Sequence, residues 1–327
     1  MGGGMDMGMM AVGGAEPVAR LLLGQLMRRQ LSHAYLFTGP RPQAQLEMAR
    51  QLAKALHCDH PDSRGDCCDR CVTCRRIENG NFPAFFVLGS PGESIKIDEI
   101  RSLQQFLAVT AEAKTKVYVL YGAEQLTVQA ANSLLKIIEE PPGPAVAVLI
   151  ARHRRQLLPT IVSRCQEVVF PALSPRQWAQ ELEAAGIPST FAPILAHLEM
   201  ESDEARACLE SDGFAEAISL VIQWGEEVVR HPVSAMTTLQ QLFQSGREQW
   251  AVDLLLLWLR DVLLLQNRQD QRLAFVHYRP QLEQQARWWP QESLLFFLDG
   301  FFTLQRLRKH HLNMQLAVEE LMLRMPR

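Results

Sequence analysis

Ala130 to Gln166 reads AANSLLKIIEEPPGPAVAVLIARHRRQLLPTIVSRCQ, and its pattern decides the fold. Ala131, Leu134, Leu135 and Ile138 recur at i, i+3, i+4 and i+7, so they line one face of a helix. Pro141 and Pro142 end that helix, because proline lacks an N–H and disfavours the α conformation in the residue before it. The apolar run Ala145 to Ala151 is short, rich in valine and bounded by turn residues, the profile of a buried strand. A polar segment then leads through Ser163-Arg164-Cys165 into a second apolar run, Val168 to Phe170. Arg164 therefore sits where a loop feeds a strand, at the edge of an α/β layer.

Working outward, the N-terminal side repeats the same alternation. Pro17 to Gln30 reads as a helix with Val18, Leu21, Leu22 and Leu26 as its stripe, and Ala34 to Thr38 as a strand. Phe85 to Leu88 and Lys116 to Tyr121 read as further strands, with a helix over Ile97 to Leu107 between them. The strand Ala34 to Thr38 runs into Gly39-Pro40-Arg41-Pro42-Gln43-Ala44-Gln45-Leu46, with a helix following through Ala49, Leu52, Ala53 and Leu56. A phosphate-binding loop of pattern G-x-x-x-x-G-K-[ST] stands in this context. Here only Gly39 remains. Ala44 replaces the second glycine, Gln45 the phosphate lysine and Leu46 the magnesium hydroxyl. Without that charge and that ligand a triphosphate gains little.

Five of the seven cysteines, Cys58, Cys67, Cys68, Cys71 and Cys74, fall in one short segment, and Cys165 and Cys208 stand apart. Cys68-Asp-Arg-Cys71-Val-Thr-Cys74 gives two C-x₂-C steps, with Cys58 one loop upstream, a spacing that can present four thiolates to zinc. Free thiols, His57 or His60 as one ligand, and Cys67 in place of Cys68 are alternatives on spacing alone. An iron–sulfur cluster is disfavoured, because the C-x₃-C-P continuation of the ferredoxin run is missing after Cys74.

QAANSLLKIIEEPP followed by LLPTIVSRCQ resembles the clamp-loader branch of the AAA+ superfamily, and weaker similarity extends from about Leu31 to about Glu319. The resemblance implies an α/β AAA+ module, a parallel sheet flanked by helices with a zinc-binding insertion, then a small helical lid and a C-terminal all-α collar. On that basis residues 1–12 are a flexible N-terminus, 13–172 the AAA+ domain with a four-cysteine zinc module at 58–74, 173–212 the lid and 213–327 the collar. The zinc ligands it favours are Cys58, Cys68, Cys71 and Cys74, a closed set implying a structural ion. It implies that Arg164, in the Ser163-Arg164-Cys165 motif, acts as an arginine finger in a neighbouring subunit's ATP site, with Ser163 shaping the loop. ATP-hydrolysing relatives end their third strand in an Asp-Glu pair, and the matching positions here are Tyr121 and Gly122. Arg152 stands where those relatives place a polar sensor; Arg206 is the one candidate for their lid arginine, but an exposed helix arginine is its preferred reading.

The expected role is thus a subunit of the bacterial DNA polymerase III clamp loader that neither binds nor hydrolyses ATP. It would sit in a five-membered ring with ATPase motor subunits and delta, and through them act on the sliding clamp and primed DNA. It would belong to a DNA-polymerising assembly without itself polymerising. Two other classes compete: a self-sufficient motor ATPase of the same loader, and a zinc-dependent nucleic-acid-binding adaptor using Arg75, Arg76, Arg152, Arg154 and Arg155. Nucleotide binding by the lone chain would mark the first, and steeply salt-dependent DNA binding the second.

Composition sets the bounds. At 327 residues with 47% hydrophobic and 21% charged residues, the chain fits a globular protein of two or three domains. A net charge of −3 argues against an all-over nucleic-acid binder. No apolar run approaches the ~18 residues that cross a bilayer, and MGGGMDMGMM lacks the basic and apolar regions of a secretion signal. That glycine–methionine start offers nothing to pack, and a cytoplasmic location is expected. The aromatic pairs Trp288-Trp289 and Phe301-Phe302, at helical spacing, read as core or interface rather than base-stacking platforms.

Overall fold

Among the described residues five β-strands run parallel, in the order Phe85–Leu88 (β2), Lys116–Tyr121 (β3), Ala145–Ala151 (β4), Ala34–Thr38 (β1) and Gln166–Val169 (β5). The computed structural model describes residues 8–90, 93–109, 115–210, 213–244, 248–307 and 312–326. The chain forms two compact units, Met1–Ala172 and Leu173–Arg327.

In the first unit, α1 (Glu16–Met27), β1 (Ala34–Thr38) and α2 (Pro42–His57) are followed by the short α3 (Val72–Glu78). Then come β2 (Phe85–Leu88), α4 (Ile97–Ala108), β3 (Lys116–Tyr121), α5 (Val128–Glu139), β4 (Ala145–Ala151), α6 (Pro159–Val162) and β5 (Gln166–Val169). Alternation along the strands builds two cores, one on each face of the sheet. Tyr35, Phe37, Val117, Val119, Val148 and Ile150 pack with Leu22 of α1 and Met48 and Leu52 of α2. Leu36, Leu120 and Leu149 point the other way, onto Leu103 of α4 and Leu134 and Ile138 of α5. The result is the parallel, helix-flanked sheet expected of the sequence.

Several local details differ. The stripe of α1 is turned by one residue: Leu23 is buried, whereas Leu21 is 43% exposed. That helix also stops at Met27 rather than Gln30, because Arg29 takes a left-handed backbone conformation (φ 54°). On α5, Ile137 is buried and Leu135 only half-buried. The expectation that MGGGMDMGMM has nothing to pack fails for Met9, which lies fully buried in a short 3₁₀ helix, Gly8–Ala11. Its amide and that of Gly8 donate to Asp66 and Asp69 respectively. Residues 1–7 of that stretch lie outside the described residues.

The second unit is helical throughout its described residues: α7 (Pro175–Ala184), α8 (Ala192–His197), α9 (Ser202–Glu210), α10 (Phe214–Arg230), α11 (Pro232–Leu242), α12 (Glu248–Gln266), α13 (Arg279–Ala286), α14 (Gln291–Leu307) and α15 (Met314–Leu323). Ser174 caps α7 by accepting the amide of Gln177, whose side chain returns to the Ser174 amide. One continuous core runs from Trp178 to Met322, centred on Trp224, Trp258 and Phe297. Helix α8 ends at His197, and Glu199 turns left-handed (φ 56°) just after it. Among the described residues no helix is long and apolar enough to cross a membrane.

Candidate functional site

Arg164 sits in the tight connection between α6 and β5. Pro159 opens α6, and Ser163 closes it, with the Ser163 hydroxyl donating to the Thr160 carbonyl at 3.1 Å. Cys165 is half-buried against the core on the α5 face, and burial pushes its thiol up to about 11, so it stays protonated. The Arg164 side chain is 39% exposed and pairs through Nε with Glu139, the last residue of α5. Its Nη1 donates to the Thr160 carbonyl at 3.0 Å and approaches the Ser163 hydroxyl at 3.4 Å. Nη2 has no partner among the described residues.

The degenerate loop lies at the opposite end of the neighbouring strand, where β1 finishes. In the parallel register Gln166 pairs with Tyr35 and Val169 with Thr38, and the Phe170 amide bonds the Thr38 carbonyl. Gly39 is therefore level with Phe170, at least four strand steps, about 13 Å, beyond the point where Arg164 enters β5. The loop itself is filled. Gln45 is fully buried, and its Nε2 donates to the Gly39 carbonyl at 3.0 Å. A phosphate-binding lysine would extend its charge into this space; the amide folds back onto the backbone instead. Ala44 is buried and Leu46 half-buried on the same turn. Gly39 has φ +145°, and a Cβ there would meet the Phe170 carbonyl oxygen at 2.7 Å, so the close approach requires glycine.

The other positions singled out at this end of the strands fall as the register dictates. Tyr121 ends β3 half-buried, Gly122 follows with φ 74°, and Arg152 is half-buried just past β4. Glu124 lies in the next 3₁₀ turn with a buried Oε2 that meets no hydrogen-bond donor. Arg206 pairs with Asp203 at 3.2 Å and donates to the Ala185 carbonyl at 2.8 Å, binding α9 to the end of α7. Trp289 and Phe301 are core, but Phe302 is 53% exposed.

The cysteine segment folds into a compact module. The sulfurs of Cys58, Cys68, Cys71 and Cys74 all lie within 4.8 Å of one another, and the group can hold a metal ion. Tetrahedral coordination at a zinc–sulfur distance of about 2.3 Å puts sulfurs ~3.8 Å apart, and Cys58 and Cys74 are already 3.7 Å apart. Backbone amides point at the sulfurs, Cys68 N–H to Cys58, Cys71 N–H to Cys68 and Cys74 N–H to Cys71, at 3.3 to 3.4 Å. Such donors stabilise thiolates. Burial pushes the Cys68 thiol up, yet the amides of Arg70 and Cys71 and the neighbouring sulfurs outweigh it and hold it at about 6. Burial and adjoining sulfurs push Cys74 up, and burial raises Cys58. Cys67 points elsewhere: its thiol donates to Gln51 of α2 at 3.0 Å, and burial raises it. Lys54 of α2, only 4% exposed, ties the module down through Asp69 at 2.7 Å and Glu78 at 2.5 Å.

Two partners escaped the reading of the sequence. Glu139 carried one faint signal, an acid at a helix C-terminus where the macrodipole disfavours it. Asp66, which receives the Met9 and Cys67 amides, carried none.

Known proteins have sequences similar to this one. A family model described as DNA polymerase III, delta subunit, matches residues 14–174. The DNA polymerase III subunit delta' of Bacillus subtilis (strain 168) is 32% identical over 312 residues, 94% of each chain. That of Pseudomonas aeruginosa is 40% identical over 148 residues, 44% of each chain. A solved DNA polymerase III gamma subunit-related protein from Thermotoga maritima is 20% identical, with a TM-score of 0.47 over 92% of this chain and 97% of that one. The matched family model and both of these curated relatives are described as DNA polymerase III subunits. Within that class, the chain belongs to the delta prime family.

Proposed function

We propose that this chain is a non-hydrolysing clamp-loader subunit that lends Arg164 to the ATP site of a neighbouring subunit. One observation carries the reading: Arg164 and the degenerate loop at Gly39 stand at opposite ends of the adjacent parallel strands β5 and β1. The guanidinium cannot reach its own chain's loop, so its exposed edge faces outward, toward whatever docks there. The filling of that loop by Gln45, with Tyr121 and Gly122 in place of the two acids, supports a subunit without ATP of its own. A planar, permanently charged guanidinium suits the charge that develops on a γ-phosphate during transfer.

The partners on this reading are the ATPase motor subunits and delta in a five-membered ring, and through them the sliding clamp and primed DNA, in the cytoplasm. Residues 173–212 serve as the lid and 213–327 as the collar that assembles the ring. Cys58, Cys68, Cys71 and Cys74 hold a structural zinc ion, which closes the module and does no chemistry. Arg164→Ala is expected to leave the melting temperature and ring assembly unchanged. In a reconstituted loader it slows ATP cleavage at the site it serves on the order of 10³-fold or more, read by single-turnover hydrolysis with clamp and primed DNA. Wild-type turnover in that complex would overturn the proposal.

A further inference from the structure

We infer that Glu139 is a positioning residue for Arg164. The inference rests on the trans role proposed above and adds to it the group that orients the guanidinium. Glu139 and Arg164 are 25 positions apart in sequence and come from separate elements, the end of α5 and the loop after α6. Each side of the pair is held by its own stop: Pro141 and Pro142 follow α5, and Pro159 begins α6. The contact is therefore built by the fold rather than by helical neighbours.

The geometry divides the guanidinium in two. Its inner edge is engaged, Nε by the Glu139 carboxylate and Nη1 by the Thr160 carbonyl. Its outer edge, at Nη2, is left for a ligand. A guanidinium has five donors in a fixed plane, so fixing two of its nitrogens fixes the direction of the third. An acid at a helix C-terminus is opposed by the helix dipole, and Glu140 follows Glu139 there. The Arg164 cation offsets that cost. Exposed ion pairs add little to stability, so folding alone does not account for the placement. The carboxylate holds the cation in the orientation that an incoming phosphate would meet, so the side chain need not be ordered when the transition state forms.

The test uses the reconstituted loader with Glu139→Gln, Arg164→Ala and the double variant. Glu139→Gln is expected to lower kcat for clamp-dependent ATP hydrolysis by between about tenfold and 10²-fold. KM for ATP stays unchanged, because the interaction matters only as charge develops. The double variant should be no slower than Arg164→Ala alone, and Glu139→Asp should restore part of the rate. In the isolated chain, the Arg164 Nε–H should exchange slowly with solvent, and quickly in Glu139→Gln. If Arg164→Ala is slow while Glu139→Gln turns over at the wild-type rate, the positioning role is wrong and the trans role stands. If both turn over normally, the trans role itself fails. A further slowing by Glu139→Gln in the Arg164→Ala background would also overturn the inference, because the carboxylate would then act independently of the arginine.

Discussion

At Gln45 a single side chain decides what the first helical turn after β1 can do. Its amide donates to the Gly39 carbonyl, while its own Oε1 is buried without a donor. Restoring a lysine by Gln45→Lys does not rebuild the site, since Ala44 and Leu46 still deny the backbone approach and the magnesium hydroxyl. Calorimetry of that variant with ATP is expected to show no binding, and a dissociation constant in the micromolar range would contradict it. Gly39 is the stricter position. At φ +145°, with the Phe170 oxygen 2.7 Å from where a Cβ would sit, Gly39→Ala should cost ~1–3 kcal/mol, read by urea unfolding. Lys116 shows how a polar residue is made to fit inside. Its ammonium caps the end of α4 by donating to the Phe106 and Leu107 carbonyls, at 2.6 and 2.9 Å. Lys116→Met removes those bonds and should destabilise the chain by ~1–3 kcal/mol in the same assay.

Among the elements, the cysteine module makes the clearest prediction. Asp66 and Asp69, which receive the amides of Met9 and Gly8, stand in the same loop as Cys68. On the proposal that the module holds zinc, stripping that ion with a strong chelator should therefore loosen the N-terminal 3₁₀ helix along with the module. Hydrogen exchange should speed up at Gly8 and Met9 together with Cys68, Cys71 and Cys74, with β3 and β4 unchanged. The strands were legible in the sequence, because valine-rich runs bounded by proline, glycine and polar residues have few other uses. Strands β1, β2, β3 and β4 begin and end where the apolar runs do. The face of α1 was less legible, since Leu21, Leu22 and Leu23 are consecutive and periodicity cannot choose among them. Spacing left Cys67 and Cys68 equivalent; the fold separates them by turning Cys67 toward Gln51. Docking of Met9 was invisible, because it depends on a carboxylate 57 positions away.

For the molecule as a whole, the helical unit carries a core of its own, so a change there should register locally. Trp258 is fully buried, stands edge-on to Phe275 at 5.0 Å, and donates to Gln285 at 2.8 Å. Trp258→Ala empties that space and strands the Gln285 oxygen, at a cost of ~3–5 kcal/mol. Limited proteolysis well below the wild-type melting temperature should then cut within 173–327 first and leave the α/β unit intact.

The opposed placement of Arg164 and Gly39 gives the α/β unit a polarity. Copies that share sites through such faces join head to tail, a heterologous contact, so a row of them has a donating terminus and an accepting one. On the trans role proposed above, a member whose own receptor is plugged stands first in such a row: it starts the relay and receives nothing back.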